Sequence, residues 1–165
     1  MPDLLTLAPG VEVVRPDDGT RLRYSGDEVE LVRDFFSLLV FGQNEWAGQP
    51  FVLSAWEEEA IRQFYGVQAQ DEDGTWSRYR RYLYEEIPKK NGKSEFAAGL
   101  GLYHLIADGE ARPQVGIFAA DKTNADIIYQ CAKYMVEHTP WASRSTTPWC
   151  GAGTACGRSA AGTAV

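Results

Sequence analysis

The stretch Ile87-Pro88-Lys89-Lys90-Asn91-Gly92-Lys93-Ser94 gathers three lysines, an asparagine, a glycine and a hydroxyl within eight residues. Gly-Lys-Ser at the mouth of a helix is the pattern of a phosphate-binding loop. In such a loop backbone N–H groups and the helix N-terminus meet the phosphates, a lysine reaches the β/γ oxygens, and a serine hydroxyl sits on Mg²⁺. By that chemistry Lys93 is the phosphate-neutralising cation and Ser94 the Mg²⁺ ligand. The usual pattern places a glycine five residues before Gly92, and Ile87 stands there instead. The bare tripeptide also fits a solvated basic turn, so its flanking elements decide between the two readings.

Those elements have the required order. Tyr82-Leu83-Tyr84-Glu85-Glu86-Ile87 is apolar enough for a buried strand, and Pro88 ends it. From Ser94 to about Ala107 the apolar positions Phe96, Ala97, Leu100, Leu102, Leu105 and Ile106 describe a helix. Gly99 and Gly101 lie inside that helix, where glycine costs about 1 kcal/mol against alanine, which points to close packing of helix on sheet. Asp108-Gly109 turns the chain, and Gln114–Ala120 reads as a second buried strand. Asp121 or Thr123 then caps a helix with Ala125, Ile128, Cys131, Ala132, Met135 and Val136 on one face. Asp121 follows an apolar strand, as a Mg²⁺-binding acid would. It comes soon after Ser94 and lacks a following glutamate, so a cap is the better account. Strand, helix, strand, helix predicts an α/β fold: a parallel sheet with flanking helices, in which Tyr82–Ile87 and Gln114–Ala120 are neighbours.

Upstream, residues 1–24 read as an extended lead-in with one short strand. Ser25 with Glu28, and Ser54 with Glu57, have capping-box spacing, each opening an amphipathic helix. Gly66 stops the second of them, and an acidic turn, Asp71-Glu72-Asp73-Gly74, follows. Arg78, Arg80 and Arg81 alternate with aromatics, a pattern open to nucleic-acid contact but better accounted for by strand-edge alternation beside acidic residues. From Ala142 to Val165 the chain is almost wholly small residues, without lysine or any acidic residue. Such a segment offers too little apolar area to offset its ordering entropy, and we expect it to be disordered. Its composition is what a GC-rich gene yields when read out of frame, which suggests that the natural frame was lost near Trp141.

The 165 residues suffice for one domain with a core. A formal charge of −7 excludes a surface that is basic throughout, so any DNA contact must be a local patch. Three cysteines, Cys131, Cys150 and Cys156, form no CxxC pair, and Cys131 falls on an apolar helix face. The N-terminus has no basic signal region and no apolar run reaches membrane-spanning length, so a soluble, cytoplasmic protein is the expectation.

With these residues in place, the chain from roughly Phe35 to Trp141 resembles the N-terminal part of a phage terminase large subunit, the ATPase and nuclease of a DNA-packaging motor. The resemblance rests on Phe51-Val52-Leu53-Ser54-Ala55-Trp56, on Arg80-Arg81-Tyr82, on the Ile-Pro-x-Lys-Asn-Gly-Lys-Ser loop without its leading glycine, and on Phe118-Ala119-Ala120. It implies a partial P-loop NTPase domain over residues 25–141, with ATP and Mg²⁺ as cofactors. Lys90, Asn91, Gly92, Lys93 and Ser94 would bind the nucleotide, and Lys89 would be an in-chain charge stabiliser near the γ-phosphate. Trp56 and Glu57 would occupy the adenine region, where the family usually has Trp-Gln; a carboxylate cannot both donate and accept as an amide does. Implied partners are a portal protein, a small terminase subunit and double-stranded DNA, in a homo-oligomeric ring for full-length members. The acidic pair that holds Mg²⁺ and activates water, and the nuclease carboxylates, do not occur in these residues. An inert nucleotide-binding fragment or prophage remnant is therefore the alternative, with a P-loop kinase or helicase behind it.

Overall fold

The computed structural model describes residues 11–15 and 18–139, which form a mixed α/β structure with four helices and one four-stranded sheet. Strands β1 (Glu12–Val14) and β2 (Arg21–Tyr24) make a hairpin in which Val13 faces Leu22. β2 also pairs with β3 (Val67–Gln70), and β3 with β4 (Trp76–Arg78), so the sheet order is β1-β2-β3-β4 and every pair is antiparallel. The β3–β4 turn is closed by Asp71 N–H to Thr75 O at 2.8 Å, with Gly74 at φ 86 supplying the left-handed corner. Leu22, Val67 and Gln68 are the buried residues of the two central strands.

The helices are α1 (Gly26–Leu38), α2 (Ala55–Tyr65), α3 (Lys93–Ile106) and α4 (Lys122–His138). α1 buries Val29, Val32, Phe35 and Phe36, the helical spacing read from the sequence. Phe36 is the centre of the core, its ring 5.2 Å from that of Phe51 and 5.6 Å from that of Phe96. α2 adds Ala60, Ile61 and Tyr65, α3 adds Leu102 and Tyr103, and α4 closes the core with Cys131 and Met135. Burial pushes the Cys131 thiol up to about 12, so it behaves as a small apolar side chain rather than a nucleophile.

Four expectations are corrected. The sheet is antiparallel and belongs to the N-terminal half; among the described residues no parallel sheet is present. Tyr82–Ile87 and Gln114–Ala120 run as irregular chain without ladder partners, with Tyr82, Tyr84 and Phe118 91%, 84% and 95% exposed. Apolar composition marks a segment that gains from burial, but a strand exists only where a second backbone runs alongside to exchange N–H and C=O groups. Residues up to 24 hold two strands rather than one, because the Asp18–Thr20 turn folds β1 back on β2, with Gly19 N–H donating to Arg15 O. Lastly, Gly99 packs on a helix rather than on a sheet: a Cβ there would come within 2.4 Å of the Phe36 ring. The segment 142–165, with Cys150 and Cys156, lies outside the described residues.

Candidate phosphate-binding site

The loop of residues 88–92 leads into α3, and its backbone is unusual in two places. Lys90 has φ 70 and Gly92 has φ 75, both left-handed. Glycine takes that conformation without cost; for Lys90 it costs about 1 kcal/mol or more, strain of the kind that accumulates at binding loops. Alternation of right- and left-handed residues turns successive N–H groups to the same side. Gly92 O accepts from Phe96 N–H at 2.9 Å, the first bond of α3, and no described group accepts from the N–H of Lys90, Asn91, Gly92, Lys93, Ser94 or Glu95. A row of unspent donors at the start of a 14-residue helix is thus directed at the space before it.

Lys93, the residue with the clearest chemical role, is half-buried. Its ammonium is folded back onto its own loop, donating to Ile87 O at 2.5 Å and Pro88 O at 2.7 Å. Asn91 Nδ2 donates to Pro88 O at 3.4 Å, bracing the same turn. Lys89 and Lys90 are exposed, and Ser94 is half-buried in the first turn of α3.

The structure brings the second candidate group, Trp56 and Glu57, to this loop. The Trp56 ring meets Phe96 edge-on at 5.2 Å, so the first turns of α2 and α3 are packed together. Glu57 closes the capping box of α2 as its spacing with Ser54 implies: Oε2 accepts from Ser54 N–H at 2.7 Å and from Ser54 Oγ–H at 2.7 Å. Its other oxygen, Oε1, is turned to the loop, 3.6 Å from where a Cβ on Gly92 would stand. Burial raises the Glu57 carboxyl above its ordinary range, against the lowering effect of the Ser54 hydrogen bonds.

Three other assignments are clarified. Asp121 is the N-cap of α4, accepting from Asn124 N–H at 2.9 Å. Ser25 stands at the start of α1 but makes no side-chain cap; its N–H donates to Gly66 O at 2.8 Å instead. Two of the arginines before the loop, Arg78 and Arg80, are drawn inward, while Arg81 is exposed. Arg78 lies over the Tyr65 and Phe64 rings at 5.1 and 5.2 Å and pairs with Asp108 at 3.5 Å, and Arg80 donates to Gln63 O at 2.7 Å.

Two polar features were not singled out from the sequence. Glu95, buried in the first turn of α3, accepts from Gly42 N–H at 3.0 Å and ties α3 to the loop after α1; burial raises its carboxyl too. At the far end of α3, His104 Nδ1 lies 2.6 Å from Asp108 Oδ2, and its Nε2 lies 2.9 Å from the Tyr65 hydroxyl. The carboxylate accepts from Nδ1–H, which leaves Nε2 to accept from Tyr65. Burial raises Tyr65, so its hydroxyl stays a donor and the cluster works as a tether between α2, β4 and α3. The i,i+4 spacing of His104 and Asp108 was the only signal for it. Among the described residues there is no group of three or more His, Cys, Asp or Glu that could hold a metal ion, and no helix is long and apolar enough to cross a membrane.

No family model, curated protein or solved structure matches this chain.

Proposed function

We propose that residues 88–94 bind the polyphosphate of Mg·ATP, and that this chain carries the ATP-binding part of a terminase-like DNA-packaging ATPase. The observation that carries the first half is the row of six unspent N–H groups at the start of α3, set by left-handed Lys90 and Gly92. The donor set suits the group. Backbone N–H groups of Lys90 to Ser94 take phosphate oxygens, Lys93 supplies a cation on a stem long enough to leave the Ile87 and Pro88 carbonyls, and Ser94 offers a hydroxyl to Mg²⁺. Mg·ATP when bound supplies a phosphoryl group activated for transfer. The chain's own contribution is to orient that group and neutralise its charge, with Lys89 available at the loop's edge. The second half rests on the order of motifs along the sequence, and the partners it implies (portal protein, small subunit, double-stranded DNA and further copies in a ring) belong to the same proposal.

A second reading, nucleotide binding without turnover, is favoured by one observation. Asp121, the acid nearest to a metal-binding position in the sequence, spends its carboxylate on the Asn124 N–H and side chain. Titration calorimetry with Mg·ATP on wild type, Lys93→Ala and Asp121→Asn tests both readings. We expect wild type to bind, Lys93→Ala to bind at least about tenfold more weakly, equivalent to roughly 1.4 kcal/mol, and Asp121→Asn to match wild type. Absence of binding in wild type overturns the phosphate-loop reading. Loss of Mg²⁺-dependent binding in Asp121→Asn makes Asp121 a metal acid and overturns its assignment as a cap.

A further inference from the structure

We infer that anion binding at the 88–94 loop is coupled to a proton on Glu57, so that the site takes up its ligand more tightly as the pH falls. This inference rests on the phosphate-loop reading and adds a determinant to it. Glu57 is 5% exposed, and only one of its two carboxylate oxygens is used: Oε2 takes both Ser54 hydrogen bonds. Oε1 has no hydrogen-bond partner among the described residues and points at Gly92, 3.6 Å from its missing Cβ. Gly92 is the residue whose N–H stands in the middle of the unspent row.

No described cation is placed to neutralise Glu57. From the loop, the Lys93 ammonium is turned to the Ile87 and Pro88 carbonyls. From α3, the Glu95 carboxylate is turned to Gly42 N–H. From α1, Arg33 pairs with Glu58, at 3.4 Å, on the exposed side of α2. Within α2, Ser54 is neutral. Mg·ATP keeps a net negative charge even after Lys93 has left the Ile87 and Pro88 carbonyls for it, so a phosphate seated on the Gly92 N–H brings negative charge up to a one-sided carboxylate, and the two like charges do not persist side by side without cost. A proton on Glu57 removes the repulsion. Burial, which already holds the Glu57 carboxyl above its ordinary range in the free protein, works in the same direction.

The test is calorimetric titration of Mg·ATP into wild type and Glu57→Gln at pH 5, 6.5 and 8, with folding checked by circular dichroism. Glutamine keeps the shape and an acceptor for Ser54 but carries no titrating proton, and the ligand's own ionisation is common to both proteins. We expect wild type to lose about tenfold more affinity than Glu57→Gln between pH 5 and pH 8, the factor given by a tenfold change in Glu57 acidity on binding. We also expect wild type to take up protons at pH 6.5, seen as a dependence of the heat on the buffer's ionisation enthalpy that the variant lacks. Equal pH slopes and equal buffer dependence in the two proteins overturn the inference while leaving the phosphate site standing. So does a folded Glu57→Gln that fails to bind at every pH, since Glu57 would then be needed as an acceptor. Failure of wild type to bind at any pH overturns the phosphate-loop reading and this inference with it. Should Glu57→Gln not fold, Glu57→Ala, which also carries no titrating proton, takes its place in the same comparison and the same outcomes decide.

Discussion

Lys93 and Glu57 show how far a residue's type constrains what it does. Lysine after glycine at a helix mouth has the charge and reach for a phosphate, yet that charge rests on the Ile87 and Pro88 carbonyls. Glu57 has the spacing of a capping box and makes it, while its other oxygen is turned to the loop at Gly92. Its burial has a consequence for stability. The carboxyl is raised above the unfolded value in the folded chain, so below that value both states are protonated and burial carries no penalty. As pH rises through the ordinary carboxylate range the unfolded chain ionises first, and the folded state loses stability until the pH passes the raised value. Glu57→Gln should therefore gain on wild type as pH rises: urea midpoints at pH 4 and pH 7 should show the difference between the two proteins moving in the variant's favour. A difference that moves the other way would mean that the ionised carboxylate is stabilised by its Ser54 hydrogen bonds more than burial penalises it.

At the scale of elements, α3 does most to hold the site in place. Its first turn carries the loop, its middle packs on Phe36, and its end is tied by His104 and Asp108 to Tyr65 and Arg78. The two interior glycines of α3 have different reasons to be there. A Cβ on Gly99 would sit 2.4 Å from Phe36 Cε1, and Phe36 has no exposed surface and three further rings around it. Gly99→Ala should cost about 1–3 kcal/mol, the usual range for overpacking a filled core. A Cβ on Gly101 would stand 3.5 Å from Val115 Cγ1, an ordinary contact. Gly101→Ala should be neutral, or stabilising by up to about 1 kcal/mol through helix propensity. Denaturant unfolding of the two variants checks both; equal costs would mean that the Phe36 ring yields and α3 is not held at that crossing. Sequence alone could not separate these glycines, because both lie inside the same helical pattern and the difference lies in which neighbour each one meets.

At the scale of the whole molecule, the described residues divide into a core of four helices with an antiparallel sheet alongside, and two apolar segments that the sheet does not take in. The N–H groups of Tyr82–Ile87 and Val115–Ala119 donate to no described backbone acceptor. In hydrogen exchange they should therefore exchange at close to unprotected rates, while the interior of α3 exchanges slowly. Protection of the two segments comparable to that of α3 would show that they are paired after all. What could be read from the sequence was local. The helices of α1, α2, α3 and α4 followed from apolar spacing, the Ser54–Glu57 box and the Asp121 cap from hydrogen bonds that span three residues, and the tight turn into α3 from the order Pro88 to Ser94. Each of these depends on neighbours a few positions away, so the pattern and the structure use the same information. Only the tertiary structure decided which strands pair, what Gly99 touches, where the Lys93 ammonium rests, and that Trp56 and Glu57 lie against a loop distant from them in the chain. Strand pairing and burial are relations between distant segments. An apolar run such as Tyr82–Ile87 has the composition of a strand, but whether it becomes one depends on a partner backbone that its own residues do not specify.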